Sequence, residues 1–287
     1  MPNVSPDIQV FLCAPEALLA SPQARQALQW LDQNDRSHIA RFHFPRDREI
    51  ATASRLLQRL AVAHYARIPP DAMADMRFSS EPGRRPVLLA PAQATALCFS
   101  AANTRGMVAC AVSGAGLVGM DVEELGKELA PELVEHCCTA AEREELWRLP
   151  EHERRKAFFQ LWTLKESYLK ARGIGLEISP HLIGFIRSGR EGSPELQADS
   201  STEPYPEHWH FQTVDAGPAH AAALCIRSPG EPGNVSVWRA EWAGSELRLV
   251  TQADAAGSQP ISAAPLNPRT RTIALPAPAA RPAPKVR

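Results

Sequence analysis

Apolar residues recur near the helical period from about Asp47 to Ala66, where Ile50, Ala53, Leu56, Leu57, Leu60 and Ala61 fall on one side, and Pro69 and Pro70 close the segment. This predicts a long amphipathic helix with Arg46, Asp47, Arg48 and Glu49 at its entrance. A second strong helical pattern runs from about Glu151 to Arg172. Weaker ones cover Ala14 to Leu31 and Glu132 to Leu149. Around them lie short runs of strand character: Ile8 to Cys13, Met76 to Ser79, Val87 to Leu89, Ala96 to Ser100, Met107 to Val112 and Leu117 to Glu123 in the first part of the chain. His208 to Val214, Ala219 to Ile226, Val235 to Trp242 and Glu246 to Val250 follow later. The turn residues Ser113-Gly114-Ala115-Gly116 predict that Met107 to Val112 and Leu117 to Glu123 form a hairpin.

The order strand, helix, strands, then strand, helices, strands predicts an α+β protein of two similar halves, about residues 1–115 and 116–250, without an evident sequence repeat. From 251 to 287 the chain is rich in Ala, Pro, Ser and Thr with scattered basic residues. That composition predicts a disordered tail, because large apolar groups are too few to form a core.

Composition narrows the function classes. With 31 basic and 32 acidic residues among 287, the formal charge is -1, so nothing pulls the whole molecule toward nucleic acid or a membrane surface. Anion binding, if present, has to be local. The six cysteines show neither C-x-x-C pairs nor metal-finger spacing, which predicts reduced thiols and a cytoplasmic protein. No run approaches the roughly 20 apolar residues of a membrane helix, and Asp7, Pro15 and Glu16 interrupt the only N-terminal candidate for a signal segment, Ile8 to Ala20.

Two segments carry chemistry. In Leu117-Val118-Gly119-Met120-Asp121-Val122-Glu123 the period of two puts Val118, Met120 and Val122 on one face and Gly119, Asp121 and Glu123 on the other. The two carboxylates share a face about 6.5 Å apart at their Cα atoms, near enough to reach one hard cation, and the glycine leaves room for a ligand to approach the backbone. The alternative is an acidic solvated edge. In Phe158 to Lys170 the helical period aligns Trp162, Glu166 and Lys170, with Phe158, Lys165 and Leu169 adjacent. Alone, Glu166 and Lys170 would be an exposed i,i+4 pair worth about 0.2–0.5 kcal/mol. Together, three carboxylates and two ammonium groups complement a metal-bound, multiply phosphorylated ligand: acids for Mg²⁺, lysines for phosphate oxygens.

At these residues the chain resembles the Sfp-type 4′-phosphopantetheinyl transferases, whose signatures are a G-x-D-x-E strand and, some forty residues on, a W-x-x-K-E-x-x-x-K helix. Here they read Gly119-Met120-Asp121-Val122-Glu123 and Trp162-Thr163-Leu164-Lys165-Glu166-Ser167-Tyr168-Leu169-Lys170. Looser similarity reaches Gly83-Arg84-Arg85-Pro86, like the family's G-K/R-P turn, and the basic stretch Arg41-Phe42 to Arg46-Asp47.

The resemblance implies a coenzyme A and Mg²⁺ site in the cleft between the halves, with Asp121, Glu123 and Glu166 on the metal. Lys165 and Lys170 would hold phosphates, and Arg46 and Arg85 would flank the nucleotide and its 3′-phosphate. Glu166 would take the proton of the attacking serine, with Lys170 beside it in the reaction. It also implies an acyl, peptidyl or aryl carrier protein as partner, release of 3′,5′-ADP, and a monomer that engages neither nucleic acid nor membrane. One position departs from the pattern. Asn103 stands where the family has a histidine against the nucleotide, and an amide donates a hydrogen bond but carries no charge. Weaker coenzyme A binding or altered pH dependence is therefore expected, and a coenzyme A-binding homologue with impaired transfer is the rival reading.

Other signals weigh less. The formal G-x-G-x-x-G at Gly114, Gly116 and Gly119 would suit a nicotinamide oxidoreductase only if a helix followed it, whereas a strand is predicted. His208 and His210 share strand spacing but lack a nearby third ligand. Cys137-Cys138 read as small buried residues, and Phe158, Phe159 and Trp162 as core.

Overall fold

The computed structural model describes residues 8–20, 22–79, 84–114, 116–188, 193–243, 246–251 and 270–273. Its helices are α1 (Pro15–Leu19), α2 (Pro22–Ala27), α3 (Gln33–Ala40), α4 (Pro45–Ala66), α5 (Pro131–Cys137), α6 (Ala140–Arg148) and α7 (Glu151–Arg172). The strands of the first part are β1 (Ile8–Cys13), β2 (Arg77–Phe78), β3 (Leu88–Ala90), β4 (Cys98–Thr104), β5 (Met107–Ser113) and β6 (Val118–Glu124). Those of the second are β7 (Ile183–Ser188), β8 (Ser193–Ala198), β9 (Trp209–Thr213), β10 (His220–Arg227), β11 (Val235–Ala243), β12 (Glu246–Thr251) and β13 (Thr270–Ile273).

Four layers result: α4, a six-stranded sheet in the order β13-β12-β11-β1-β5-β4, a three-stranded sheet β6-β10-β9, and α7. The period of two along the strands explains the stacking. On β1, Phe11 and Cys13 pack with α4, while Ile8, Val10 and Leu12 face the second sheet. Across that middle layer stand Val118, Met120 and Val122 of β6 and Ala222, Leu224 and Ile226 of β10, whose alternate residues Ala223 and Cys225 pack with α7. The α+β architecture is as expected, with a 22-residue helix on the outer face of each sheet.

The expected hairpin between β5 and β6 does not form. β5 pairs with β1 and β4, whereas β6 pairs with β10, so the turn after Ser113 carries the chain from one sheet to the other. Every residue of β5 is buried, and a strand that is apolar on both faces needs cover above as well as partners beside it. The chain after the second sheet also returns: β11 lies parallel to β1, and β12 pairs with β11, so the stretch assigned to a second half ends inside the first sheet.

In the stretch expected to be a disordered tail, Thr270–Ile273 pairs antiparallel with β12 and forms the edge of the six-stranded sheet, covering the backbone groups that β12 would otherwise leave unpaired. Residues 252–269 and 274–287 lie outside the described residues. The weak helical patterns break up: Ala14 to Leu31 becomes α1, α2 and a short 3₁₀ turn, and Thr139 separates α5 from α6 with a capping box to Glu142. Among the described residues no helix is long and apolar enough to cross a membrane, and all six cysteines are unpaired.

Candidate functional site between α4 and α7

β6 and α7 touch backbone to backbone at Gly119. A Cβ there would lie 1.8 Å from the Ser167 carbonyl oxygen and 2.6 Å from the Ala171 nitrogen, so only glycine lets the helix sit this close. The approach expected for a ligand is made instead by α7 itself. Its effect is to bring the strand's acidic residues against the Glu166 to Lys170 turn. Lys170 Nζ donates to Asp121 Oδ1 at 2.6 Å. Asp121 is 5% exposed, and its other oxygen, Oδ2, is buried with no hydrogen-bond partner. Glu123 pairs with Lys127 and accepts from Thr104 Oγ1 at 3.4 Å. Glu166 is partly exposed, and among the described residues its carboxylate makes no hydrogen bond or ion pair.

These charges perturb one another. Burial, then the carboxylates Asp121 and Glu123, push the Glu166 pKa up against the opposing pull of Lys170. Burial likewise raises Asp121, although the Lys170 ammonium opposes it. For Lys170 itself, burial pulls the pKa down, but Asp121, Glu166 and Glu123 outweigh it and leave it raised.

Beyond this junction opens a cleft of about 320 Å³ whose walls come from α4, the Arg84–Pro86 segment, β4 and the C-terminal half of α7. Glu166, Lys170, Arg85 and Asn103 all line it. Arg85 is seated by Gly173, the left-handed residue (φ +69°) that ends α7: a Cβ at that position would meet the Arg85 Cγ at 2.6 Å. Asn103 Nδ2 donates to Ser54 Oγ of α4 at 3.4 Å. His38, Arg55 and Arg84 also line the cleft; Arg84 belongs to the turn noted in the sequence, whereas His38 and Arg55 were not singled out there. Burial, then the neighbouring Arg55 and Arg41, lower the His38 pKa, with Asp35 opposing them. The sequence signal for these residues was weak, since His38 and Arg55 sit in ordinary helical surroundings.

Two expected residues fall elsewhere. Lys165 is fully buried on the other side of α7, where Nζ donates to Glu142 Oε2 at 2.7 Å and to the carbonyls of Cys137, Pro180 and Ile183 at 2.9, 3.0 and 2.6 Å. It cannot also reach a phosphate in the cleft; successive helix residues are about 100° apart, which turns Lys165 away from Glu166. Arg46 is exposed and lines a neighbouring groove of about 500 Å³ with Arg105 and Lys127, which meets the cleft at Asn103. Gly83 lies outside the described residues. His210 Nε2 bonds the Ser228 carbonyl oxygen at 3.1 Å, a structural role.

Does the junction suit a metal ion? Among the described residues, no three His, Cys, Asp or Glu side chains close into a ready-made cage, since ammonium groups hold one oxygen each of Asp121 and Glu123. Yet the buried Asp121 Oδ2 and the unpartnered Glu166 carboxylate are neighbouring hard oxygen donors with unmet demand. That donor chemistry fits a hard divalent cation.

Comparison with known proteins completes the picture. The family model described as 4'-phosphopantetheinyl transferase superfamily matches residues 117–225, and that described as 4'-phosphopantetheinyl transferase, N-terminal, matches residues 20–113. The chain is 31% identical to the 4'-phosphopantetheinyl transferase HetI of Nostoc sp. over 147 residues, which are 51% of this chain and 61% of HetI. It is 27% identical to psf-1 of Bacillus pumilus over 80% of this chain and 94% of that relative. Against Sfp of Bacillus subtilis the identity is 21%, over 76% and 92%. The two family models adjoin at the turn between β5 and β6 and together take in both walls of the cleft, so the chain belongs to the Sfp-type 4′-phosphopantetheinyl transferases.

Proposed function

We propose that the protein transfers the 4′-phosphopantetheine arm of coenzyme A to a serine of an acyl, peptidyl or aryl carrier protein, in a Mg²⁺-dependent reaction that releases 3′,5′-ADP. The observation that carries this reading is the shared cleft: Glu166 and Lys170 of α7 on one wall, with Asp121 of β6 held behind Lys170, and Arg55 of α4, Arg84, Arg85 and His38 of α3 on the other. Phosphoryl-type transfer needs both signs of charge within one site.

In this reading the arginine-rich wall binds the nucleotide end, with Arg84, Arg85 and Arg55 facing its phosphates and His38 beside them. Asp121, Glu166 and Glu123 would hold the Mg²⁺, which when bound supplies neutralisation of pyrophosphate charge. The serine Oγ attacks the β-phosphorus, the bond from that phosphorus to the oxygen of 3′,5′-ADP breaks, and the hydroxyl proton passes to a Glu166 carboxylate oxygen. A carboxylate whose pKa is raised accepts that proton more readily than an ordinary one. Lys170, anchored by Asp121, stabilises charge on the departing phosphate.

The test is direct. The protein is incubated with coenzyme A, Mg²⁺ and a panel of apo carrier proteins, and intact masses are read for the added arm. Modification of a carrier serine supports the reading. Tight coenzyme A binding with no modification of any carrier would favour the binding-only alternative.

A further inference from the structure

The cleft contains a buried amide whose nitrogen makes no hydrogen bond among the described residues. Gln58 lies one turn beyond Ser54 on the face of α4 that lines the cleft; it is 2% exposed, and its Nε2 has no hydrogen-bond partner. The other amide of the cleft differs, because Asn103 already donates to Ser54. Buried polar groups in native proteins are nearly always matched, so an orphan that lines a cavity marks the place where a ligand completes it.

Its surroundings define that ligand. Ala51, Phe99, Pro86 and Leu169 supply apolar walls, and the cationic residues described above supply the rim. An apolar slot with a cationic rim and one amide suits a heteroaromatic base carried on a phosphorylated sugar. A glutamine amide matches adenine in particular, accepting from the exocyclic amino group while donating to the adjacent ring nitrogen.

We propose that Gln58 is a specificity-determining residue that reads the adenine edge of the substrate nucleotide. This rests on the coenzyme A reading and adds to it a base-recognition residue on α4, outside the two signature motifs.

The experiment titrates the full chain by calorimetry with coenzyme A and with its hypoxanthine analogue, in which an oxo group replaces the exocyclic amine. The wild-type protein should prefer coenzyme A by roughly ten- to a hundredfold, the discrimination typical of one two-bond amide–base pair. Gln58→Met, close in size but apolar, should bind both ligands alike, with coenzyme A weakened by a similar factor and the loss in transfer assays falling on KM. Its thermal midpoint should not drop, because no hydrogen bond within the protein is lost. Equal wild-type binding of the two ligands would overturn the proposal without needing any variant. So would a Gln58→Met protein that retains both affinity and preference. Wild-type protein that binds neither ligand would instead remove the coenzyme A reading on which the proposal stands.

Discussion

Replacing Lys165 separates a structural lysine from a phosphate-binding one. Its ammonium sits in a closed nest: the Glu142 carboxylate and three carbonyl oxygens, all between 2.6 and 3.0 Å. One of those carbonyls, Cys137, is at the C-terminus of α5, where a cation is favoured by the helix dipole. Lys165→Met keeps the length of the side chain but strands a buried carboxylate and three buried acceptors. Removing one partner of a buried ion pair costs about 3–5 kcal/mol. The lower part of that range is expected, because Glu142 keeps hydrogen bonds from the Thr139 and Phe185 amides. At about 2–4 °C per kcal/mol, the thermal midpoint should fall by roughly 6–12 °C. Urea melts at neutral pH measure the loss, and calorimetry under folded conditions measures coenzyme A affinity, which should stay within about twofold of wild type. A variant that melts normally but binds coenzyme A tenfold or more weakly would refute the buried arrangement.

Three further outcomes are expected. Gly119→Ala drives a methyl group into the Ser167 carbonyl and should destabilise the protein by at least about 3 kcal/mol, the upper end for overpacking, as read by urea melts; a fully stable variant would contradict the β6–α7 contact. Glu166→Gln should fold normally yet lose transfer by about 10²–10⁴-fold in the carrier-mass assay, and near-wild-type turnover would remove Glu166 as the base. With EDTA present, the raised Glu166 pKa means that the folded chain holds a proton the unfolded chain has released, so its contribution to stability is full at acid pH and fades as pH rises through the raised value. Mg²⁺ should flatten that dependence in urea midpoints measured across pH, while EDTA abolishes transfer; identical profiles with and without the ion would argue against a metal at this junction.

Much of this site was legible in the one-dimensional pattern. The helix from about Glu151 to Arg172 was read with its observed bounds, because its apolar period is a local property. The alternation in β6 placed Asp121 and Glu123 on one face without any knowledge of what lies opposite. Other features depend on neighbours that no local window contains. Lys165 and Glu166 are adjacent in a strongly charged motif, and only the packing of α5, α6 and the 180–183 turn against one side of α7 decides that the lysine is buried there while the glutamate lines the cleft.

The same division explains the turn after Ser113, whose glycines suit a hairpin or a crossover equally well. The choice fell to the crossover because both faces of β5 are apolar and the second sheet covers one of them. Gln58 was invisible for a related reason: in the sequence it is one polar residue on an amphipathic helix, and its meaning comes from β4 and α7 closing over it from distant parts of the chain. Periodicity, set by backbone geometry over a few residues, determined the elements and the chemical character of each face. Which faces meet, and so which charges are spent on the fold and which remain for a ligand, was decided only by long-range packing.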